Sequence, residues 1–168
     1  MKTIREQIIE RIIGQLETIS TINGYHHDIG PGRVYRQESV IEKGQPPAIS
    51  VWELSEIRER NQYGGTVREL SIRIEAIVEV NNDKHPATVS NELLGDIEKT
   101  LIMGDMSLDE FIDDIQDVAA EITQQPLYKK EKEQSAEITQ LPIERRVAGA
   151  TIDFQIRYTT EWGDPYTQ

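Results

Sequence analysis

Between Leu70 and Val80 the chain alternates with a period of two, and this stretch constrains the fold more than any other. Leu70, Ile72, Ile74, Ala76, Val78 and Val80 fall on one face; Ser71, Arg73, Glu75, Ile77 and Glu79 fall on the other. An extended chain sends successive side chains to opposite sides, so one face is dry and the other mostly charged, as in an antiparallel sheet solvated on one side. The dry face needs neighbours and a cover. A preceding run, Ala48–Ile57, reads as a strand that reaches it through a short turn at Gly64-Gly65, which implies antiparallel pairing. The last strand, 147–160, repeats the pattern: Ile152, Phe154, Ile156 and Tyr158 alternate with Thr151, Asp153, Gln155 and Arg157. A fourth strand is expected from about Val118 to Ile122.

Two amphipathic helices supply the cover. Ile8, Ile9, Ile12, Ile13, Leu16 and Ile19 make one apolar stripe behind a T-x-x-E capping box at Thr3 and Glu6, and Asn23-Gly24 ends it. Val89, Leu93, Leu94, Ile97 and Leu101 make the second stripe, from Pro86 or Ala87 to Ile102. The glycine-rich stretch 24–39 reads as a loop with a short irregular strand or hairpin, and 104–115 as a short helix or turn capped by Ser107, with Glu110 three places on. The expectation is a single α+β domain over residues 1–168. It has two layers: a mainly antiparallel four-stranded sheet covered on one face by two helices, with an irregular N-terminal hairpin or loop. A charged insert near 129–146 is read as solvated, and its Lys/Glu-rich part, 129–137, as mobile or weakly helical.

Charge excludes one class of function. The 168 residues hold 18 Lys and Arg against 30 Asp and Glu, a net charge of −12, so binding nucleic acid by phosphate neutralisation is disfavoured. The absence of cysteine excludes disulfides and thiolate metal sites and fits a cytoplasmic protein. The first nineteen residues are interrupted by Arg5, Glu6, Glu10 and Arg11, and so read as neither a signal peptide nor a membrane span.

A search for chemistry yields no catalytic, metal or cofactor site. Carboxylates crowd at Asp109, Glu110, Asp113, Asp114 and Asp117, of which Asp109, Asp113 and Asp117 could line one helical face and hold a hard cation, but the calcium-loop pattern is missing and a solvated face is the simpler reading. His26 and His27 are expected to point to opposite sides as loop polarity, without ligand spacing around them. No serine lies in a G-x-S-x-G elbow, and no phosphate-binding glycine loop occurs. Lys129, Lys130, Lys132, Arg145 and Arg146 are interleaved with acids. A chain with this much order and no chemistry points to an interaction protein.

The segments IREQIIERIIGQL, NGYHHDIGPGRVYR, PAISVWE, LSIRIEAIVEV with NELLGDIEKTLI, and above all IRYTTEWGDPYT, together resemble the lambda-type tail terminator proteins of long-tailed bacteriophages. The resemblance implies a homohexameric ring that caps the tail tube and stops its polymerisation. Its partners would be copies of itself, the tail tube protein and the neck or connector protein, with DNA passing through the bore without specific binding and no membrane involved. The location implied is the head-proximal end of the virion tail, and the host cytoplasm during assembly. No catalytic residue or cofactor carries over. The insert at 129–146 departs from the pattern. The alternative is a neck or head-tail completion adaptor of the same virion; a metal-dependent hydrolase built on Asp109–Asp117 is the weaker reading from another class. The interface residues expected are Trp162, Asp164, Pro165 and Tyr166. Gly163 frees the backbone, Asp164-Pro165 turns it away from the sheet, and Tyr166 is carried outward to the adjacent subunit or the tail's next ring.

Overall fold

The longest pairing in the molecule sets its axis. In the computed structural model, which describes residues 1–40, 45–104, 108, 110–123 and 147–168, strand β3 (Gly65–Glu79) lies antiparallel to strand β5 (Val147–Glu161) without a break, from Gly65 opposite Glu161 to Glu79 opposite Val147. The other elements, in chain order, are helix α1 (Ile4–Leu16), strand β1 (Val34–Arg36), strand β2 (Ala48–Arg60), helix α2 (Pro86–Glu98) and strand β4 (Asp114–Thr123). Together they form an α+β domain with a five-stranded mixed sheet in the order β1-β2-β3-β5-β4.

The sheet therefore differs from the four antiparallel strands expected. The added strand, β1, runs parallel to β2, pairing Val34 with Ile49 and Arg36 with Val51. Three residues are too few to show a period, and the 37–47 connection is long enough to bring the chain back in the same direction. Strand β4 starts four residues earlier than expected, because a bulge between Asp117 and Ala119 interrupts its alternation. The acids expected along a helical face stand elsewhere: Asp114 and Asp117 lie on β4, and Asp113 donates its amide to the Arg157 carbonyl just before it. Asp109, the capping Ser107 and the insert at 129–146 lie outside the described residues.

Both helices cover the same face. Ile8, Ile9, Ile12 and Leu16 of α1, and Val89, Leu93 and Ile97 of α2, are buried. Beneath them lie Ile49, Val51, Leu70, Ile72, Ile74, Val78, Ile152, Phe154 and Ile156, all in one cluster. The core expected from the period-two pattern is thus the core observed. Thr3 caps α1, its hydroxyl oxygen accepting from the Glu6 amide at 3.2 Å. The second half of the capping box is not made, because the Glu6 carboxylate turns to Arg36. Helix α2 ends its regular ladder at Glu98 and widens into a π-helical turn over Lys99–Gly104, which keeps Thr100 and Leu101 buried.

The opposite face carries cross-strand polar pairs. Arg73 makes a bidentate pair with Asp153 at 2.8 and 3.0 Å, and Trp52 donates its indole N–H to Glu75. Ile77, the apolar exception among the charged positions of β3, packs there in a small cluster with Val40, Ala48 and Val147.

Candidate functional site

At the end of the sheet that carries the β2–β3 hairpin, the core-facing positions change from apolar to charged. The register places Glu56 opposite Leu70, Arg58 opposite Arg68 and Arg60 opposite Thr66; across β3, Arg68 faces Tyr158 and Thr66 faces Thr160. A bulge between Glu53 and Glu56 resets the parity of β2 so that Glu53, Glu56, Arg58 and Arg60 all share the helix-facing side. Arg5 from the first turn of α1 and Arg36 at the end of β1 reach the same cluster.

Glu56 is the hub. One oxygen accepts from Arg58 Nε at 2.6 Å and Arg68 Nη1 at 3.2 Å; the other accepts from the Tyr158 hydroxyl and lies 3.7 Å from Arg5 Nη1. Beside it, Glu53 accepts from Arg5 and from Arg36 Nε at 2.6 Å, and Arg36 binds both Glu6 oxygens at 2.7 and 2.9 Å. Burial opposes ionisation of Glu56, but the Tyr158 hydroxyl and the nearby guanidiniums outweigh it and hold the carboxyl below its ordinary range. Burial and the Glu56 charge push the Tyr158 phenol up. Hydrogen bonding from Arg36 likewise lowers Glu6.

The last residues wrap this end. Trp162 donates its amide to the Gly64 carbonyl, and the Arg60 guanidinium lies 4.0 Å from the centre of its ring while 61 % of the residue remains exposed. Gly64 itself is left-handed, at φ +87, closing the hairpin turn whose Asn61 side chain accepts from the Tyr63 and Gly65 amides. The Asp164 carboxylate accepts from the Tyr166 amide and the Thr167 hydroxyl, both at 2.9 Å, which fixes a tight local turn.

That turn does not carry the chain away from its own core. The Pro165 carbonyl accepts from the Ile4 amide, the Thr167 carbonyl from the Glu161 amide, and Gln168 donates to the Phe111 carbonyl. The reason is the orphan amide at the start of α1, which finds its acceptor in Pro165. Tyr166, still 44 % exposed, faces an open groove of about 500 Å³ lined by Phe111, Met1, Lys2 and the polar side chains of α1. Trp162 and Tyr166 are both accessible, but they serve different surfaces: one the hairpin, the other the first turns of α1.

No protein-family model and no curated protein matches this chain.

The histidine pair does not diverge as the sequence suggests. Asp96 of α2, 2 % exposed, accepts from the amides of His26 and His27 and from the Nδ1 of both rings, all at 3.0 Å. An ionised carboxylate can only accept, so both rings carry a proton on Nδ1. Burial opposes the Asp96 charge, yet His27 and the His26 amide prevail and hold the group below its ordinary value. The loop is bent here, so neighbouring side chains need not alternate. It is a pin between the 24–32 loop and α2, and among the described residues no set of three or more His, Asp or Glu side chains is placed to hold a metal.

The arginine cluster went unread in the sequence, although a signal exists. Thr66 and Arg68 continue the inward parity of Leu70 and Ile72, and Thr160 continues that of Tyr158. A charged residue at core parity implies a buried partner. Chemically, the site supplies guanidinium donors, a held carboxylate and an exposed indole; these are groups for recognition.

Proposed function

We propose that this chain is a structural protein of a long-tailed phage virion, a tail-terminator-like subunit that closes into a ring. The ring, six-fold by resemblance, caps the tail tube, stops its growth and meets the neck. Its partners are further copies of the chain, the tail tube protein and a neck or connector protein. The observation that carries this reading is a pair of exposed aromatics on a braced end of the sheet. Tyr63 and Trp162 are exposed there, and the hairpin is tied to the last residues through Gly64 and Trp162. A rigid surface with accessible aromatics beside arginines suits subunit contact, since Trp, Tyr and Arg concentrate binding energy. The net charge of −12 repels DNA from a bore made by several copies.

Native mass measurement and negative-stain imaging, on the pure protein and after addition of tail-tube ends, test the proposal. Rings, and tubes that no longer elongate, are the expected result. A chain that stays monomeric in both settings defeats it. Binding to DNA-filled heads in place of tube ends would transfer the assignment to the neck adaptor.

A further inference from the structure

We infer that the arginine cluster contains a binding site for one small oxyanion, of carboxylate to phosphate size. A cavity of about 80 Å³ opens between the start of α1 and the end of the sheet, lined by Arg5, Arg58, Arg68, Tyr158 and Thr160, with Pro165 as one wall. That volume exceeds the space one water occupies several-fold. Its charge is incomplete. The network joins four guanidiniums, Arg5, Arg36, Arg58 and Arg68, to three carboxylates, Glu6, Glu53 and Glu56. Among the described residues of this network the guanidiniums outnumber the carboxylates by one, and Arg68 within it is more than nine-tenths buried. Uncompensated charge is costly in such surroundings, and a monoanion removes the cost.

Donors are also in surplus. Among the described residues, Arg68 gives Nε to Thr160 and Nη1 to Glu56, which leaves Nη2. Arg58 gives only Nε to Glu56 among the described residues, which leaves both of its terminal nitrogens. Planar guanidinium edges of this kind match a carboxylate or phosphate in a two-point contact. Tyr158 already donates to Glu56 and so contributes shape and not a proton. The inference does not depend on the ring reading.

The test is thermal unfolding in inorganic phosphate, and separately in acetate, against chloride at equal ionic strength. The variants are Arg58→Gln, chosen because 57 % of that side chain is exposed, and Arg73→Gln on the opposite face, each compared with its own melting temperature in chloride. At about ten times its dissociation constant a bound anion raises Tm by about 3 °C or more in a domain of this size. Arg58→Gln is expected to weaken binding at least tenfold, and Arg73→Gln to leave it unchanged. A response to both anions identifies a general oxyanion site; a response to one alone identifies its geometry. No shift beyond chloride, or a shift that survives in Arg58→Gln and so reflects bulk salting, overturns the inference.

Discussion

The Pro165 carbonyl accepts a hydrogen bond from the Ile4 amide at 2.9 Å, tying the residues after β5 to the first turn of α1. The bond joins the two layers of the domain at the end where the arginine cluster sits. It also separates two roles that the aromatic-G-D-P-Y sequence confounds: bracing the fold and offering a surface.

Deleting residues 163–168 is therefore expected to destabilise the monomer. It removes the bonds from Ile4 to Pro165, from Glu161 to Thr167 and from Gln168 to Phe111. At a net contribution of about 0.5–1.5 kcal/mol each, the loss of the three is about 1.5–4.5 kcal/mol. Trp162→Ala, by contrast, changes a mostly exposed side chain and is expected to stay within about 1 kcal/mol, the worth of an exposed cation–π contact. Differential scanning calorimetry checks both. If Trp162 is an interface anchor, its variant loses ring assembly while keeping its melting temperature.

The register of the β3–β5 pair gives a second expectation. Phe154 lies opposite Ile72 with no exposed surface, whereas Asp153 lies opposite Arg73 on the other face. Phe154→Ala is expected to cost about 3–5 kcal/mol. Asp153→Ala breaks only a part-exposed pair and is expected to cost about 1 kcal/mol or less. Urea titration of the two variants measures the contrast, and a reversed order would mean that β5 is shifted by one residue.

These central elements were legible because each buries a single face. Period two in β3 and β5 and the stripes of α1 and α2 follow from that one condition, and their core positions came out correctly. The edges were not legible. Val34–Arg36 is too short to show a period, and the bulge in β4 puts Asp117 opposite Phe154 and Ala119 opposite Asp153, which scrambles the pattern. Local alternation also carries no information on non-local partners. Parity places Arg68 inside, but only the register of β2 shows that Glu56 meets it. The bond from Pro165 to Ile4 spans nearly the whole sequence and leaves no trace in either segment.

Asp96→Asn tests the histidine pin. The variant keeps one acceptor oxygen and turns an NH₂ group toward N–H donors from His26 and His27. Leaving buried donors without an acceptor costs about 1–3 kcal/mol. Hydrogen exchange is expected to speed up at 24–32 before it changes in β3. Equal acceleration throughout would show that the loop and the sheet open together.

Glu56 should contribute to the acid limb of stability. Its folded-state carboxyl lies below its unfolded value, as do those of Asp96 and Glu6. A depressed carboxylate contributes stability that is fully present above the unfolded pKa, about pH 4–4.5, and is lost as pH falls through the folded value. Stability is thus expected to be flat near neutrality and to fall below about pH 4.5. Glu56→Gln removes the charge that Arg58, Arg68 and Arg5 share while Arg68 stays buried, and is expected to cost about 3–5 kcal/mol at pH 7. The same variant has no carboxylate to protonate at this position, so its stability should decline less steeply in acid than that of the parent. Replacing Glu56 and Arg68 together by Leu and Met removes both halves of the buried pair and is expected to cost less than Glu56→Gln alone, an interaction that a double-mutant cycle measures directly. If the double variant is the sum of its parts, Glu56 and Arg68 do not act as a unit and the buried network is not what holds this end of the sheet.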